Sequence, residues 1–198
     1  MQKKLFTLLI LSAFSANYIH SEVVEEVVVQ ASLLGQTEDG ISDPLHILDG
    51  AEIADMATTS LGETLDSLAG VTTADYGSAV GQPILRGLSG LRVKVLTNGL
   101  VNRDVAGIGA DHKNEVDLFD IQQIEVVRGP SSLLYANGTS GGIVNLVDNT
   151  IATSDVEEMS VKLGFETQSV NSGDSQNFAY SDNVGGLNLY FSYSDSAF

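Results

Sequence analysis

Apolar positions change their spacing several times along this chain, and each change predicts an element. Residues 124–127, Ile-Glu-Val-Val, read as a short buried strand that stops sharply at Arg128-Gly129-Pro130. Pro130 lacks an N–H and presses Gly129 out of the helical region. A small-residue turn with Gly138, Gly141 and Gly142 then leads into a second apolar strand, Ile143 to Val147. Further upstream, from Leu45 to Ala74, the pattern turns helical: Ser60 precedes apolar residues at 61, 65, 68 and 69. Glu63, three residues after Ser60, completes a capping box, and Gly70 is placed as the C-terminal stop. Val93 and Val95 suit a half-buried strand, and Asn98-Gly99 marks a tight turn. Beyond Asp155 the spacing becomes strictly two. Met159, Val161, Leu163 and Phe165 alternate with Ser160, Lys162, Gly164 and Glu166. After a polar stretch from Gln168 to Gln176, Leu187, Leu189, Phe191 and Tyr193 alternate with Asn188, Tyr190, Ser192 and Ser194. Such alternation marks strands with different solvents on their two sides, whether in a membrane barrel or in a soluble β-sandwich.

The amino terminus changes where this protein must act. Lys3-Lys4, an apolar run from Leu5 to Ala16 and then small polar residues have the layout of a secretory signal peptide, with cleavage open between Ser15 and Ser21. About a dozen apolar residues fall short of the roughly 20 that a helix needs to span a bilayer. An exported chain could use disulfides, but there are no cysteines, so stability must come from a core or from enclosure. The net charge of −17 argues against nucleic-acid partners, whose phosphates it would repel. Residues 22–43 are acidic and valine-rich, then turn-rich, and read as an extended arm. Within it Glu25 to Ala31 is a β-branched run with high strand propensity and no helical period.

Candidate chemistry gathers in one loop. Asp104 to Asp117 holds Asp104, Asp111, Glu115 and Asp117 together with His112, among glycines. Imidazole and carboxylate together suit zinc and neighbouring divalent metals, whereas a plain polar loop would need no ligand. His20 lies in the signal region, and His46 reads as an ordinary strand residue. Gly138 to Gly142 has neither the dinucleotide fingerprint nor the Lys-Ser/Thr of a P-loop. With no nucleophile–base pair in view, the chain is expected not to be an enzyme.

Five segments, in order, carry a resemblance: Leu61-Gly-Glu-Thr-Leu-x-x-Leu-x-Gly-Val71, Ile84-Leu-Arg-Gly-Leu-Ser-Gly-x-Arg-Val93, Asn98-Gly-Leu100, Ile124-Glu-Val-x-Arg-Gly-Pro-x-x-Leu-Leu-Tyr135 and Gly141-Gly-x-Val-Asn-x-x-Asp-Asn149. Together they resemble the plug domain of TonB-dependent outer-membrane receptors, most closely the zinc-uptake branch. The resemblance implies an α+β plug domain with a small mixed β-sheet, followed by the first antiparallel strands of a transmembrane β-barrel that this chain leaves incomplete. The implied organisation is a signal peptide (1–21), a periplasmic arm with a TonB box (22–43), the plug (44–152) and the start of the barrel (153–198).

The family's roles carry over residue by residue. Glu26, Val27, Val28, Val29, Gln30 and Ala31 would bind TonB by adding a strand to its sheet. Arg86 and Arg128, from the two Arg-Gly motifs, would face the barrel wall and pair with acidic residues there. Asp111 and His112 would be the plug's metal ligands, although Lys113-Asn114 departs from the small apolar residues of that branch. The implied function is TonB-dependent transport across the outer membrane of a Gram-negative bacterium, with the plug gating the barrel and contributing to substrate binding. Zinc or a metal complex enters as transported substrate, and no catalytic cofactor is expected. TonB, outer-membrane lipid and the metal are the partners. An iron-siderophore receptor and a stand-alone secreted plug-like module that captures a ligand are the alternatives.

Overall fold

The computed structural model describes residues 45–197 other than 57, 59, 78, 79, 110, 115, 153, 170 and 171. The signal region and the arm therefore lie outside the described residues. Strand β1 (Leu45–Asp49) is followed by α1 (Gly50–Met56) and α2 (Leu61–Leu65). Then come β2 (Val71–Asp75), β3 (Gly81–Leu85), β4 (Val93–Thr97), β5 (Leu100–Val101), β6 (Ile121–Val127) and β7 (Gly142–Asp148). Three longer strands complete the chain: β8 (Ser160–Gln168), β9 (Gly173–Val184) and β10 (Leu187–Ala197).

The central sheet runs β1-β6-β7-β4-β5, with β4 parallel to β7 and every other pairing antiparallel. It is the small mixed sheet that the resemblance implies. Period two decides its faces. Ile124 and Val126 of β6 and Val144 and Leu146 of β7 join Leu48, Ile53, Leu61, Leu65 and Leu85 in the main core. The alternate residues Val127 and Ile143, with Leu96, pack on the opposite face against Leu45, Ile47 and Tyr135. Between them Glu125 and Asn145 are fully buried. Asn145 Nδ2 donates to Glu125 Oε2 at 2.9 Å, and its Oδ1 accepts from Gly99 N at 2.9 Å, so neither residue is buried unpaired. The bond to Gly99 also ties the β4–β5 turn to the middle of the sheet. That turn places Asn98 and Gly99 at φ +51° and +78°, as the Asn-Gly signal requires.

Local signals are met at α2: Ser60 Oγ accepts from Glu63 N at 3.2 Å, which caps the helix. The helical reading of Leu45 to Ala74 needs correction at both ends. Leu45–Asp49 is an edge strand on β6, α2 stops at Leu65, and Val71–Asp75 is a strand paired with β3. Pairing overrode the local period: Leu45 to Leu48 gains a ladder on the already folded β6, which an isolated turn of helix could not match.

Strands β8, β9 and β10 form a separate antiparallel meander. Residues 177–184, which the alternation left unread, supply its middle strand. One face carries Val161, Leu163, Phe165, Leu189, Phe191 and Tyr193, which are 41% to 77% exposed. The other face meets the rest of the molecule. Asp120, only 7% exposed, accepts from Lys162 Nζ at 2.6 Å, Tyr190 OH at 2.8 Å and Asn149 Nδ2 at 3.1 Å. Beside it the Phe119 ring fills the notch at Gly164, where a Cβ would lie 2.4 Å from Phe119 Cε2. The meander is what the resemblance implies for the first strands of a barrel, left unclosed here, and its polar side faces the rest of the molecule.

Candidate functional site: paired arginines and a clamped loop

Two of the residue pairs nominated by sequence are brought together, and strand β3 runs between them. At the end of β3, Arg86 takes a left-handed backbone (φ +53°), and its N–H donates to Gly70 O at 3.0 Å. The preceding carbonyl, Ala69 O, accepts from Nη1 of Arg128. Arg128 comes from the sharp stop after β6, where Gly129 adopts φ +105° ahead of Pro130. The two arginines thus meet around one turn, residues 69–70, that closes the segment after α2.

Their electrostatics are unusual. Arg128 is 6% exposed, and its Nε is buried with no hydrogen-bond partner. Burial lowers its pKa from the ordinary arginine value, and the neighbouring charge of Arg86 lowers it further. Among the described residues neither arginine is in an ion pair. A guanidinium binds a carboxylate in bidentate fashion through its planar fork, and here one such group keeps an idle donor beside a second guanidinium.

At the other end of β3 stands Gln82, which is 3% exposed. Its Nε2 donates to three main-chain carbonyls of the acidic loop: Ala106 O at 2.7 Å, Gly109 O at 2.8 Å and His112 O at 2.8 Å. No motif pointed to Gln82 in the sequence; a lone amide in Gly81-Gln82-Pro83 carries no signal until the loop folds over it. A cavity of about 430 Å³ lies beside this contact, lined by Gln82, Lys94, Arg103, Asp104 and Asn114 among others. Asn114 Nδ2 is buried there without a partner.

Asp111 and His112 stand side by side on the loop, with His112 Nε2 3.9 Å from Asp111 Oδ1 and their side chains 69% and 49% exposed. His112 N donates to Gly109 O at 3.2 Å, closing the turn that displays them. Both side chains fold back over Gly109, where a Cβ would come within 2.6 Å of Asp111 Oδ1 and 3.3 Å of His112 Cδ2. Among the described residues no group of three or more His, Cys, Asp or Glu could hold a metal, so the pair offers two donors and no closed shell. His46 lies on the edge strand β1, opposite Val126. Glu26, Val27, Val28, Val29, Gln30 and Ala31 lie outside the described residues.

Comparison with known proteins places this geometry. The family model of the TonB-dependent Receptor Plug Domain matches residues 38–143, more than half of the chain. The vitamin B12 transporter BtuB of Vibrio vulnificus (strain YJ016) is 29% identical over 171 residues, covering 83% of this chain and 27% of that protein. The siderophore receptor PirA from Acinetobacter baumannii superposes with a TM-score of 0.62 at 16% identity, over 85% of this chain and 26% of its own. A mutant form of the ferric enterobactin receptor PfeA from Pseudomonas aeruginosa gives a TM-score of 0.62 at 20% identity, over 86% and 26%. The chain spans about a quarter of the length of these relatives.

Proposed function

We propose a function from one premise: this chain belongs to the TonB-dependent receptor plug family. On our reading it is the plug and first wall strands of an outer-membrane receptor that imports a scarce metal or metal complex at TonB's expense. The observation that carries this is the paired-arginine end. Arg128 has a buried, idle Nε beside Arg86, and both await acidic partners of the kind a barrel wall can supply. The exposed apolar face of β8 to β10 supports the same reading, because lipid covers such a face at no cost and water does not. A stand-alone secreted module would have to keep that face in water, which disfavours it. No nucleophile–base pair is proposed, and none of the steps needs a catalytic cofactor.

In this mechanism substrate binds over the loop at residues 104–117, outside the plug. TonB captures Glu26 to Ala31 by strand addition and pulls on the segment that leads into β1. Strand β1 is an edge strand that, among the described residues, pairs with β6 alone, so it is the element from which a pull at the amino terminus enters the sheet. Asp111 and His112 support zinc as the cargo, with the remaining ligands coming from the barrel, since zinc in protein sites is usually four-coordinate. An iron-siderophore cargo is the second reading, favoured by Lys94 and Arg103 in the cavity beside the loop, which suit an anionic chelate.

The test is uptake by cells carrying the full receptor as their sole route. Val28→Pro removes a ladder N–H and should abolish uptake with expression unchanged; normal uptake would refute the TonB assignment. Asp111→Ala with His112→Ala should abolish zinc-limited growth and spare uptake of iron chelates. Zinc uptake equal to wild type in that double variant moves the cargo to the iron complexes.

A further inference from the structure

The Gln82 contact has a chemistry of its own. A side-chain amide has two N–H bonds, yet Nε2 lies within 2.8 Å of three carbonyl oxygens, so one N–H is shared between two acceptors. The three acceptors are not arbitrary points. Gly109 and His112 are the two ends of the turn that displays Asp111 and His112, and Ala106 is the buried residue of the short 3₁₀ turn at Val105–Gly107 that leads into it. One buried nitrogen on strand β3 therefore holds the loop at three points, Ala106, Gly109 and His112.

We propose that Gln82 is the positioning residue of the substrate-facing loop: by holding the carbonyls of Gly109 and His112 at a single point, it sets the separation at which Asp111 and His112 meet a metal ion. The proposal rests, in its metal clause, on the reading that this loop faces substrate. Without the clamp, three carbonyls would have to accept from water instead, and the turn would open. Among the described residues no side-chain hydrogen bond ties the exposed Asp111 and His112 to the body of the protein, so their placement over Gly109 follows the course of the backbone that carries them. Gln82 also stands on the strand that leads into Arg86, so the loop and the paired arginines flank one extended segment.

The experiment compares wild type with Gln82→Glu and Gln82→Met at neutral pH, on the full chain in detergent micelles that cover the apolar face of β8 to β10. Gln82→Glu keeps the shape but turns a donor into an anion facing three oxygens, whereas Gln82→Met keeps the length and removes the donor. Amide hydrogen exchange in residues 105–114 should accelerate about tenfold or more in the Met variant and further in the Glu variant. A side chain that matters only by filling space predicts the reverse order, with Glu closest to wild type, and that order would overturn the clamp.

Zinc chloride titration, followed by the His112 imidazole resonances, reads the positioning role separately. Affinity should fall in the same order as exchange rises. Faster exchange with unchanged zinc affinity would reduce Gln82 to a structural residue and overturn the positioning role. If wild type itself shows no zinc response, the zinc reading fails alone, and the exchange order still decides whether Gln82 holds the loop.

Discussion

The central sheet and the β8–β10 meander are built on the same period of two, yet they turn their apolar residues in opposite directions. In the first, Ile124, Val126, Val144 and Leu146 point inward and are essentially inaccessible. In the second, Leu163, Phe165 and Phe191 point outward and are more than half exposed, while Lys162 and Tyr190 point toward the plug and Asp120. An alternating pattern specifies that a strand separates two environments; it does not specify which one is oil. The plug makes its own apolar phase, whereas the meander leaves its apolar face uncovered among the described residues.

The contrast breaks most visibly at Leu146. Truncation to Ala leaves a cavity in a sheet with helices packed on that face and should cost about 2–5 kcal/mol, read as a lower urea midpoint. The same truncation at Leu163, measured in water, should cost no more than about 1 kcal/mol, because the side chain is mostly exposed and loses only its cross-strand neighbour Phe178. A comparable loss at both positions would mean that the meander buries its apolar face within the chain itself.

Leu163→Arg sharpens the difference by changing the solvent. In a lipid bilayer it should destabilise the receptor by about 2–4 kcal/mol near the midplane, falling toward the interfaces. In water the same change should leave the fold intact and raise solubility. If the penalty is the same in both media, the outward face does not meet lipid.

The seam between the two regions gives a smaller effect than truncation at Leu146 or the arginine in lipid. Asp120→Ala removes a nearly buried carboxylate from Tyr190 and Asn149 and should cost about 1–3 kcal/mol. The ion pair with Lys162 adds little, since the Lys162 side chain is 43% exposed. Asp120→Asn, which keeps an acceptor for Tyr190, should therefore retain most of the stability in thermal unfolding. Equal damage from Asn and Ala would shift the weight of the seam to charge.

Much of this was legible along the chain because it depends on neighbours in sequence. The Ser60 cap, the Asn98-Gly99 turn, the stop at Arg128-Gly129-Pro130 and the outward alternation of β8 and β10 each need only a few residues to be recognised, and each is found where the pattern put it. The motif segments pointed to the family on the same local basis. Where local signals competed with pairing they misled, as at Leu45–Asp49 and Val71–Asp75, because a strand borrows its stability from a partner that sequence spacing does not display.

The rest was decided by the folded chain. Gln82 reaches carbonyls 24 to 30 residues away, Asp120 gathers Lys162 and Tyr190 from 42 and 70 residues away, and Arg128 meets Ala69 across 59. Glu125 and Asn145, polar residues in otherwise apolar strands, become a satisfied pair only when β6 and β7 lie side by side. The sequence by itself determined the Ser60 cap, the tight turns and the alternating strands, since those follow from torsional preference and period. Only the tertiary structure decided which polar atoms would be buried and what would satisfy them, because desolvation and hydrogen-bond geometry are properties of places where distant segments meet.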